Sequence, residues 1–205
     1  VSAGMRKDVL ASYPDLDPDR VFVVKNGIDP DEFKPDNGTD VVQDLGIDLD
    51  RPTVVFVGRI TRQKGLIHLV RAAQQFDPET QVVLLAGAPD TPEIAAETEA
   101  LVEDLRSRRT GVVWISDFLS RGKIIQLLSC STAFVTPSIY EPLGIVNLEA
   151  MAVGLPVVGT KTGGIPDCIE DGVTGTLVPI EQLDDGTGTP VHPEAFEADL
   201  ASALE

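Results

Sequence analysis

Residues 133–152 read Ala-Phe-Val-Thr-Pro-Ser-Ile-Tyr-Glu-Pro-Leu-Gly-Ile-Val-Asn-Leu-Glu-Ala-Met-Ala. The first three residues form an apolar run that is typical of a buried parallel strand. After Pro142 and Gly144, which favour a turn, apolar residues recur at helix spacing. The predicted core-facing stripe of this helix consists of Ile145, Leu148, Met151 and Ala152. The stretch therefore predicts a strand, a turn and a helix, the repeating unit of an α/β protein.

The same alternation continues on both sides of this unit. The predicted strands are 53–57, 81–86, 112–115, 133–135, 156–159 and 175–178, and the predicted helices are 65–76, 92–109, 120–130 and 194–204. Continuous apolar strands joined by helical crossovers indicate a parallel sheet covered on both faces. We predict an α/β fold with a Rossmann-like doubly wound sheet, in which ligands bind beyond the carboxyl ends of the strands. Those ends lead into loops that begin at Gly58, Gly87, Asp117, Ser138 and Thr160.

Residues 1–40 do not show the pattern of a complete domain. They are predicted to comprise a helix over 3–12 capped by Ser2, a short strand over 21–24 and a linker over 29–40. We expect this segment to be the end of a preceding domain with its linker. Residues 41–205 are then one domain, which we expect to be truncated at its carboxyl end.

The composition excludes several classes of partner. The chain has 205 residues and a net charge of −17, whereas nucleic acids and anionic membranes are bound by basic surfaces. No apolar run approaches ~20 residues, the length of a membrane span. We expect Cys130 and Cys168 to be separate buried thiols, and we find no spacing of Cys and His that suits a metal. Both His68 and His192 are expected to be solvated.

The loop after the first predicted strand, Gly58-Arg59-Ile60-Thr61-Arg62-Gln63-Lys64-Gly65, carries cations to the binding edge. Gly58 allows a sharp turn, while Arg59 offers a forked donor and Lys64 a point charge. The loop has neither the Walker pattern nor the Gly-x-Gly-x-x-Gly dinucleotide pattern. In an acidic chain, the cations Arg59 and Lys64 at this position favour anion binding, with an ordinary solvated basic loop as the alternative.

The helix in the opening stretch has a carboxylate on each side of its start. Its first N–H groups and the positive end of its dipole suit a phosphate. Glu141 and Glu149 suit hydroxyl groups instead, because an ionised carboxylate only accepts hydrogen bonds. The alternative is an acidic first turn that the helix dipole favours on its own. Downstream, Gly163 and Gly164 are predicted to let the backbone approach a ligand closely.

Together these motifs resemble a known family. Gly-Arg-x-x-x-x-Lys-Gly followed by Glu-Pro-x-Gly-x-x-x-x-Glu-Ala is similar to the retaining nucleotide-sugar glycosyltransferases of the GT-B fold. The fuller wording of residues 141–152, with Gly-Gly-Ile-Pro-Asp downstream, most resembles glycogen synthases of the actinobacterial type. Asn26-Gly27-Ile28-Asp29 with Phe33 also fits the linker between the two GT-B domains. The resemblance covers essentially the whole chain.

The resemblance implies a role for each matching residue. Arg59 and Lys64 would bind the donor diphosphate and stabilise the leaving group, and Glu141 would bind hydroxyls of the transferred sugar. Glu149 would bind the ribose. The remaining residues implied in donor binding are Gly58, the backbone of Gly144, Ile145 and Val146, and Phe118 and Leu119 near the nucleobase. The family implies no metal and no cofactor.

The resemblance also implies a function for the longer protein. The chain would be the carboxyl-terminal, donor-binding domain of a cytoplasmic enzyme that moves glucose from ADP-glucose to an α-1,4-glucan. The acceptor would be held by an amino-terminal domain, so the chain alone would bind donor weakly and transfer nothing. Alternatives are a transferase that uses a UDP- or GDP-sugar, a nucleotide-sugar 2-epimerase and a non-catalytic nucleotide-binding module.

Overall fold

A computed structural model describes all residues, Val1–Glu205. The strands are β1 (Thr53–Arg59), β2 (Gln81–Gly87), β3 (Val112–Ile115), β4 (Ala133–Thr136), β5 (Val157–Thr160) and β6 (Gly175–Val178). The helices are α1 (Ala3–Ser12), α2 (Asp40–Asp44), α3 (Leu66–Ala72), α4 (Pro92–Arg108), α5 (Arg121–Ser129), α6 (Ile145–Ala152) and α7 (Pro193–Ala203). None of the seven helices has both the length and the hydrophobicity that a bilayer span requires.

The strands form one parallel sheet in the order β3-β2-β1-β4-β5-β6. This order confirms the predicted doubly wound α/β fold. The order reverses between β1 and β4, whose first pairs are Val54 with Ala133 and Val55 with Phe134. Ligands of such sheets bind in the crevice beyond the carboxyl ends at this reversal. The fold therefore directs attention to the loops after β1 and β4.

Two hydrophobic layers enclose the sheet, and β1 contributes to both. Val54 and Phe56 pack on one face with Leu69 of α3, in a layer completed by α4 and α7. Val55 points to the other face, where it joins Leu127 of α5 and Ala150 of α6. Side chains alternate between the two faces of a strand, so a strand that is buried on both faces is apolar at most of its positions. This is why the apolar runs predicted the strands well.

The helix α6 occupies its predicted place, and Met151 and Ala152 of its predicted core-facing stripe pack against the core, but the start of that stripe is wrong. Ile145 is 36% exposed, whereas Asn147 and Ala150 are fully buried. The helix starts immediately after Gly144, whose φ of 81° sets the direction in which the first turn leaves the loop. Ala150 is small enough to let the helix lie close to the sheet. The Thr136 hydroxyl of β4 donates to Asn147 Oδ1 at 2.5 Å, which satisfies one polar atom of the buried face.

The strand predicted over residues 21–24 is not formed. The segment is extended, but no neighbouring strand pairs with it, and Phe22 and Val24 are 80% and 76% exposed. A strand needs a partner for its N–H and C=O groups, and the apolar pattern alone does not provide one. By contrast, α1 begins as predicted, since Met5 N–H donates to the Ser2 hydroxyl that caps it.

Candidate functional site

The loops after β1 and β4 meet in a buried ion pair. Lys64 Nζ lies 2.6 Å from Glu141 Oε2, and the side chains are 25% and 8% exposed, respectively. The backbone also joins the two loops, since Ile139 N–H donates to the Gln63 carbonyl at 2.9 Å. The topology thus brings together two residues that the sequence analysis placed in one site. This pair at the reversal point of the sheet is the centre of the candidate site.

Local structure positions Lys64 before any ligand does so. Residues Arg62–Lys64 form one turn of 3-10 helix, and the Thr61 hydroxyl caps that turn by accepting from Lys64 N–H at 3.2 Å. Gly65 follows with a φ of 65°, a left-handed conformation that suits glycine. The chain then enters α3, whose Leu66 and Leu69 are buried in the core. Lys64 therefore lies on a short connection between β1 and α3, both of which are packed in the core.

Backbone contacts hold Glu141 equally firmly. Its Oε1 accepts from Gly144 N–H at 3.2 Å, and its carbonyl accepts from Gly164 N–H at 2.7 Å. A Cβ on Gly163 would lie 2.1 Å from the Glu141 carbonyl oxygen, and one on Gly164 would lie 2.3 Å from the Pro142 carbonyl oxygen. The sequence predicted that these glycines let the backbone approach a ligand. In the structure the close approach is instead to the backbone of the loop that carries Glu141.

The amino terminus of α6 lies directly beside this carboxylate. Gly144 occupies the capping position, and no side chain caps the helix. The backbone N–H groups at Gly144, Ile145 and Val146 therefore begin the helix next to Lys64 and Glu141. A helix start with positive dipole potential beside a lysine suits an anionic group.

A cavity of about 300 Å³ opens at the carboxyl ends of β1, β2 and β3. Its lining includes Gly58, Arg59, Phe118 and Leu119, which were predicted to bind the donor. Phe118 is 95% exposed, whereas Leu119 is buried. Such an exposed aromatic ring beside an apolar cavity can stack on a planar ligand. Arg59 points its guanidinium to Asp90, with Nη1 3.2 Å from Oδ1, so it is not part of the buried pair.

Glu149 is half-buried on α6 and is near a second charged cluster. Arg121 of α5 pairs with Glu32 at 2.5 Å and stacks on the Phe33 ring. Burial raises the pKa of Glu149; the Arg121 guanidinium opposes this shift, and the Glu32 carboxylate adds to it. A carboxylate with these surroundings has no charged partner of its own and is free to accept hydrogen bonds from a ligand.

The raised pKa of Glu149 predicts a pH-dependent stability. Below the ordinary value of 4.5, the carboxyl is protonated in both states. As the pH rises from 4.5 towards the higher pKa of the folded state, the unfolded chain loses this proton while the folded chain keeps it. The free energy of unfolding therefore falls over this range and is constant above it. Urea unfolding between about pH 4 and 7 should show a smaller fall in Glu149→Gln than in the wild-type chain. Equal falls in both proteins would contradict the shift.

The structure corrects two further expectations and adds residues. His68 is buried, with Nδ1 2.8 Å from Glu197 Oε1, because its face of α3 packs against α7. His192 is exposed, as expected. Asp167 accepts from Ala3 N–H at 3.1 Å, so it satisfies a further N–H group in the first turn of α1, beside the Ser2 cap. Sequence reasoning missed Asn147 and Asp90, since neither fits a helical stripe or a charge motif. Cys130 and Cys168 are free thiols, but each is only partly buried, which corrects their predicted burial. No cluster of three metal ligands is found.

Comparisons with known proteins agree with this architecture. The chain is 54% identical over its whole length to the alpha-maltose-1-phosphate synthase of Mycolicibacterium smegmatis and covers 51% of that protein. It is 35% identical over 175 residues to the D-inositol 3-phosphate glycosyltransferase of Mycobacterium avium, covering 85% of this chain and 41% of that protein. The crystal structure of Anabaena Alr3699/HepE with UDP and glucose is similar in fold, with a TM-score of 0.79 and 24% identity, over 99% of this chain and 50% of that one.

The chain spans about half the length of the curated relatives it matches. The family model of the glycosyl transferases group 1 matches residues 39–186, which include β1 to β6 with both loops of the buried pair. The chain therefore belongs to the group 1 glycosyl transferases.

Proposed function

We propose that the chain is the donor-binding domain of a longer, retaining glucosyltransferase that uses ADP-glucose. In this proposal residues 41–205 form the nucleotide-sugar-binding domain, and residues 1–40 lead into it from the preceding domain. The observation that carries the proposal is the Lys64–Glu141 pair beside the start of α6, at the reversal point of the sheet. A cation, the helix N–H groups of Ile145 and Val146 and a hydroxyl acceptor within one crevice match the parts of a nucleotide sugar.

The chemistry assigns one part of the donor to each group. The base stacks at Phe118 and Leu119, and Glu149 accepts from the ribose. Loss of the nucleoside diphosphate places negative charge on its phosphates as the bond to the sugar breaks. Lys64 and the N–H groups of Ile145 and Val146 stabilise this charge. Arg59 adds a second cation once its guanidinium leaves Asp90. Glu141 then accepts from the hydroxyls of the transferred glucose and orients the sugar.

The relatives of this chain are most informative about the acceptor. Resemblance to glycogen synthases predicts an α-1,4-glucan as acceptor. The relative that is 54% identical is named for another product, α-maltose 1-phosphate. A transferase makes that product by joining a glucosyl unit to glucose 1-phosphate. We therefore propose glucose 1-phosphate as the acceptor, with a glucan as the second candidate. A cytoplasmic location remains a prediction.

Product analysis with the longer protein tests this proposal. ADP-glucose, UDP-glucose and GDP-mannose are each incubated with glucose 1-phosphate or with a short glucan, and products are followed by proton NMR. We expect an α-linked maltose 1-phosphate from ADP-glucose. Transfer from a UDP- or GDP-sugar alone would refute the donor, and transfer to glucan alone would refute the acceptor. An epimerised sugar or no turnover would support the 2-epimerase or the non-catalytic module, respectively.

Phe118 offers a direct test of the base position. Because its ring is 95% exposed, Phe118→Ala removes no core contact and should leave stability unchanged. ADP affinity should fall by about 1 kcal/mol or more, the lower end for a base stacked on an aromatic ring. Calorimetric titration measures the change. Phe22→Ala is the matched control, since Phe22 is 80% exposed and does not line the cavity. Equal ADP affinity in both variants would contradict stacking at Phe118.

A further inference from the structure

Asn147 carries a buried polar atom that the fold leaves unused. The residue is fully buried in the first turn of α6. Its Oδ1 accepts from the Thr136 hydroxyl, but Nδ2 has no hydrogen-bond partner. A buried N–H without a partner is costly and rare in folded proteins. Such an atom beside a functional crevice suggests a partner that arrives in another state of the site.

The side chains of Asn147 and Glu141 face the same small gap. A Cβ on Gly144 would occupy this gap, 2.6 Å from Asn147 Nδ2 and 3.3 Å from Glu141 Cγ. Gly144 has no Cβ, so this position between the two side chains is not filled by residue 144, and Ile165 lies on its third side. The Thr136 hydroxyl holds Oδ1 on the opposite side and thereby turns Nδ2 towards the gap. In the proposal below, a rotation of the Glu141 side chain brings its carboxylate to this amide.

Lys64 determines when Glu141 needs a second donor. In the structure the lysine compensates the charge of this buried carboxylate at 2.6 Å. The proposed function draws Lys64 to the donor diphosphate, which leaves the carboxylate with the Gly144 N–H and the more distant Ser138 hydroxyl, at 3.2 and 3.5 Å. A buried carboxylate that loses its cation requires further hydrogen bonds.

We propose that Asn147 is a positioning residue for Glu141. Its Nδ2 donates to the Glu141 carboxylate when Lys64 engages the diphosphate, and so holds the carboxylate against the hydroxyls of the transferred sugar. A neutral amide suits this task, because it satisfies the carboxylate without neutralising the charge that attracts the sugar hydroxyls. The inference rests on the proposed function. It adds Asn147 as a residue that hydrogen-bonds Glu141 when the Lys64 ammonium moves from Glu141 to the donor diphosphate.

Kinetics of the longer protein separate positioning from a structural role. Asn147→Asp keeps the shape and the contact with Thr136 but replaces the donor by a second carboxylate. Asn147→Leu keeps the shape and removes the donor. We expect kcat to fall at least about tenfold in both variants, the order for one lost hydrogen bond to a charged group. The affinity for ADP should stay within about threefold of wild type, since Glu141 binds the sugar and not the nucleotide.

Gln126→Glu is the matched control. Gln126 is another buried amide, 6% exposed, that accepts from Val41 N–H and donates to Asp40 on the side of the chain next to α2. We expect this variant to lose stability but to keep its kcat. An unchanged kcat in Asn147→Asp, or parallel losses of melting temperature and ADP affinity in both Asn147 variants, would overturn the role of Asn147. Absence of transfer by the wild-type protein would instead overturn the proposed function, and the inference with it.

A spectroscopic measurement gives a readout that needs no turnover. The chain contains three asparagines, Asn26, Asn37 and Asn147. Selective ¹⁵N labelling of asparagine therefore yields three pairs of side-chain amide signals, and Asn147→Leu identifies one of these pairs. Saturating ADP-glucose should move an Asn147 amide proton downfield, as expected for a new hydrogen bond to a carboxylate. A shift of the same size in Glu141→Ala, or no shift in the wild-type chain, would refute the contact.

Discussion

Replacing Lys64 with alanine should lower kcat of the proposed transferase at least about tenfold, the order for one lost charge-stabilising contact. The reason is geometric. Lys64 is held by a capped turn at the carboxyl end of β1, beside the start of α6. No other cation is paired with Glu141 in the crevice, because Arg59 turns to Asp90. The negative charge of the leaving diphosphate would then lack its nearest partner.

Steady-state kinetics of the longer protein measure this loss. Lys34→Ala is the control with the same change in net charge, since Lys34 is exposed and lies outside the site. Lys64→Arg retains the charge and should lose less than Lys64→Ala. A wild-type kcat in Lys64→Ala would remove the main support for the assignment of the site.

The same variant should also be less stable, which gives a second measurement. The Glu141 side chain is 8% exposed in the structure, and without Lys64 its charge has no cation nearby. An unsatisfied buried group of this kind costs about 1–3 kcal/mol, more when charged. Adding Glu141→Gln removes the charge and should restore part of the free energy of unfolding, although not the activity. Urea unfolding of the single and double variants reports this coupling.

Replacing Gly65 with alanine should destabilise the chain by at least about 3 kcal/mol, from left-handed strain and overpacking together. Gly65 has a φ of 65°, and a Cβ there would lie 1.9 Å from the Pro137 carbonyl oxygen. Pro137 belongs to the loop that carries Glu141, so relief of the clash would separate the two halves of the site. Backbone atoms cannot rotate away as a flexible side chain can.

Gly46→Ala isolates the conformational part of this effect. Gly46 also has a positive φ, 72°, but its Cβ would meet no atom within 4 Å. This control should cost only about 1–2 kcal/mol, the penalty of the left-handed conformation for an L-residue. The difference between the two variants, measured by urea unfolding, is the cost of the contact with Pro137. Similar values for both variants would show that the two loops tolerate displacement.

Much of the fold could be predicted because its strands are buried on both faces. A run such as 54–57 has no polar residue, and only a covered parallel sheet hides all of its side chains. The segment 21–24 has the same apolar character but lacks a neighbouring strand. This wrong prediction shows that an apolar run indicates an extended backbone, whereas strand pairing depends on which other segments of the chain lie beside it. The buried His68 was mispredicted similarly, since α7 covers it from far along the chain.

The sequence by itself determined the order of strands and helices, the strand ends that bear the binding loops, and the residue types at those ends. These follow from local periodicity and from the chemistry of single side chains. Only the tertiary structure decided that Lys64 and Glu141, separated by 77 positions, form a pair, and that α6 buries Asn147 instead of Ile145. Both outcomes depend on the spatial order of the strands within the sheet and on the direction in which α6 leaves Gly144. Neither quantity is encoded in a local window of sequence, because each results from the packing of the whole sheet.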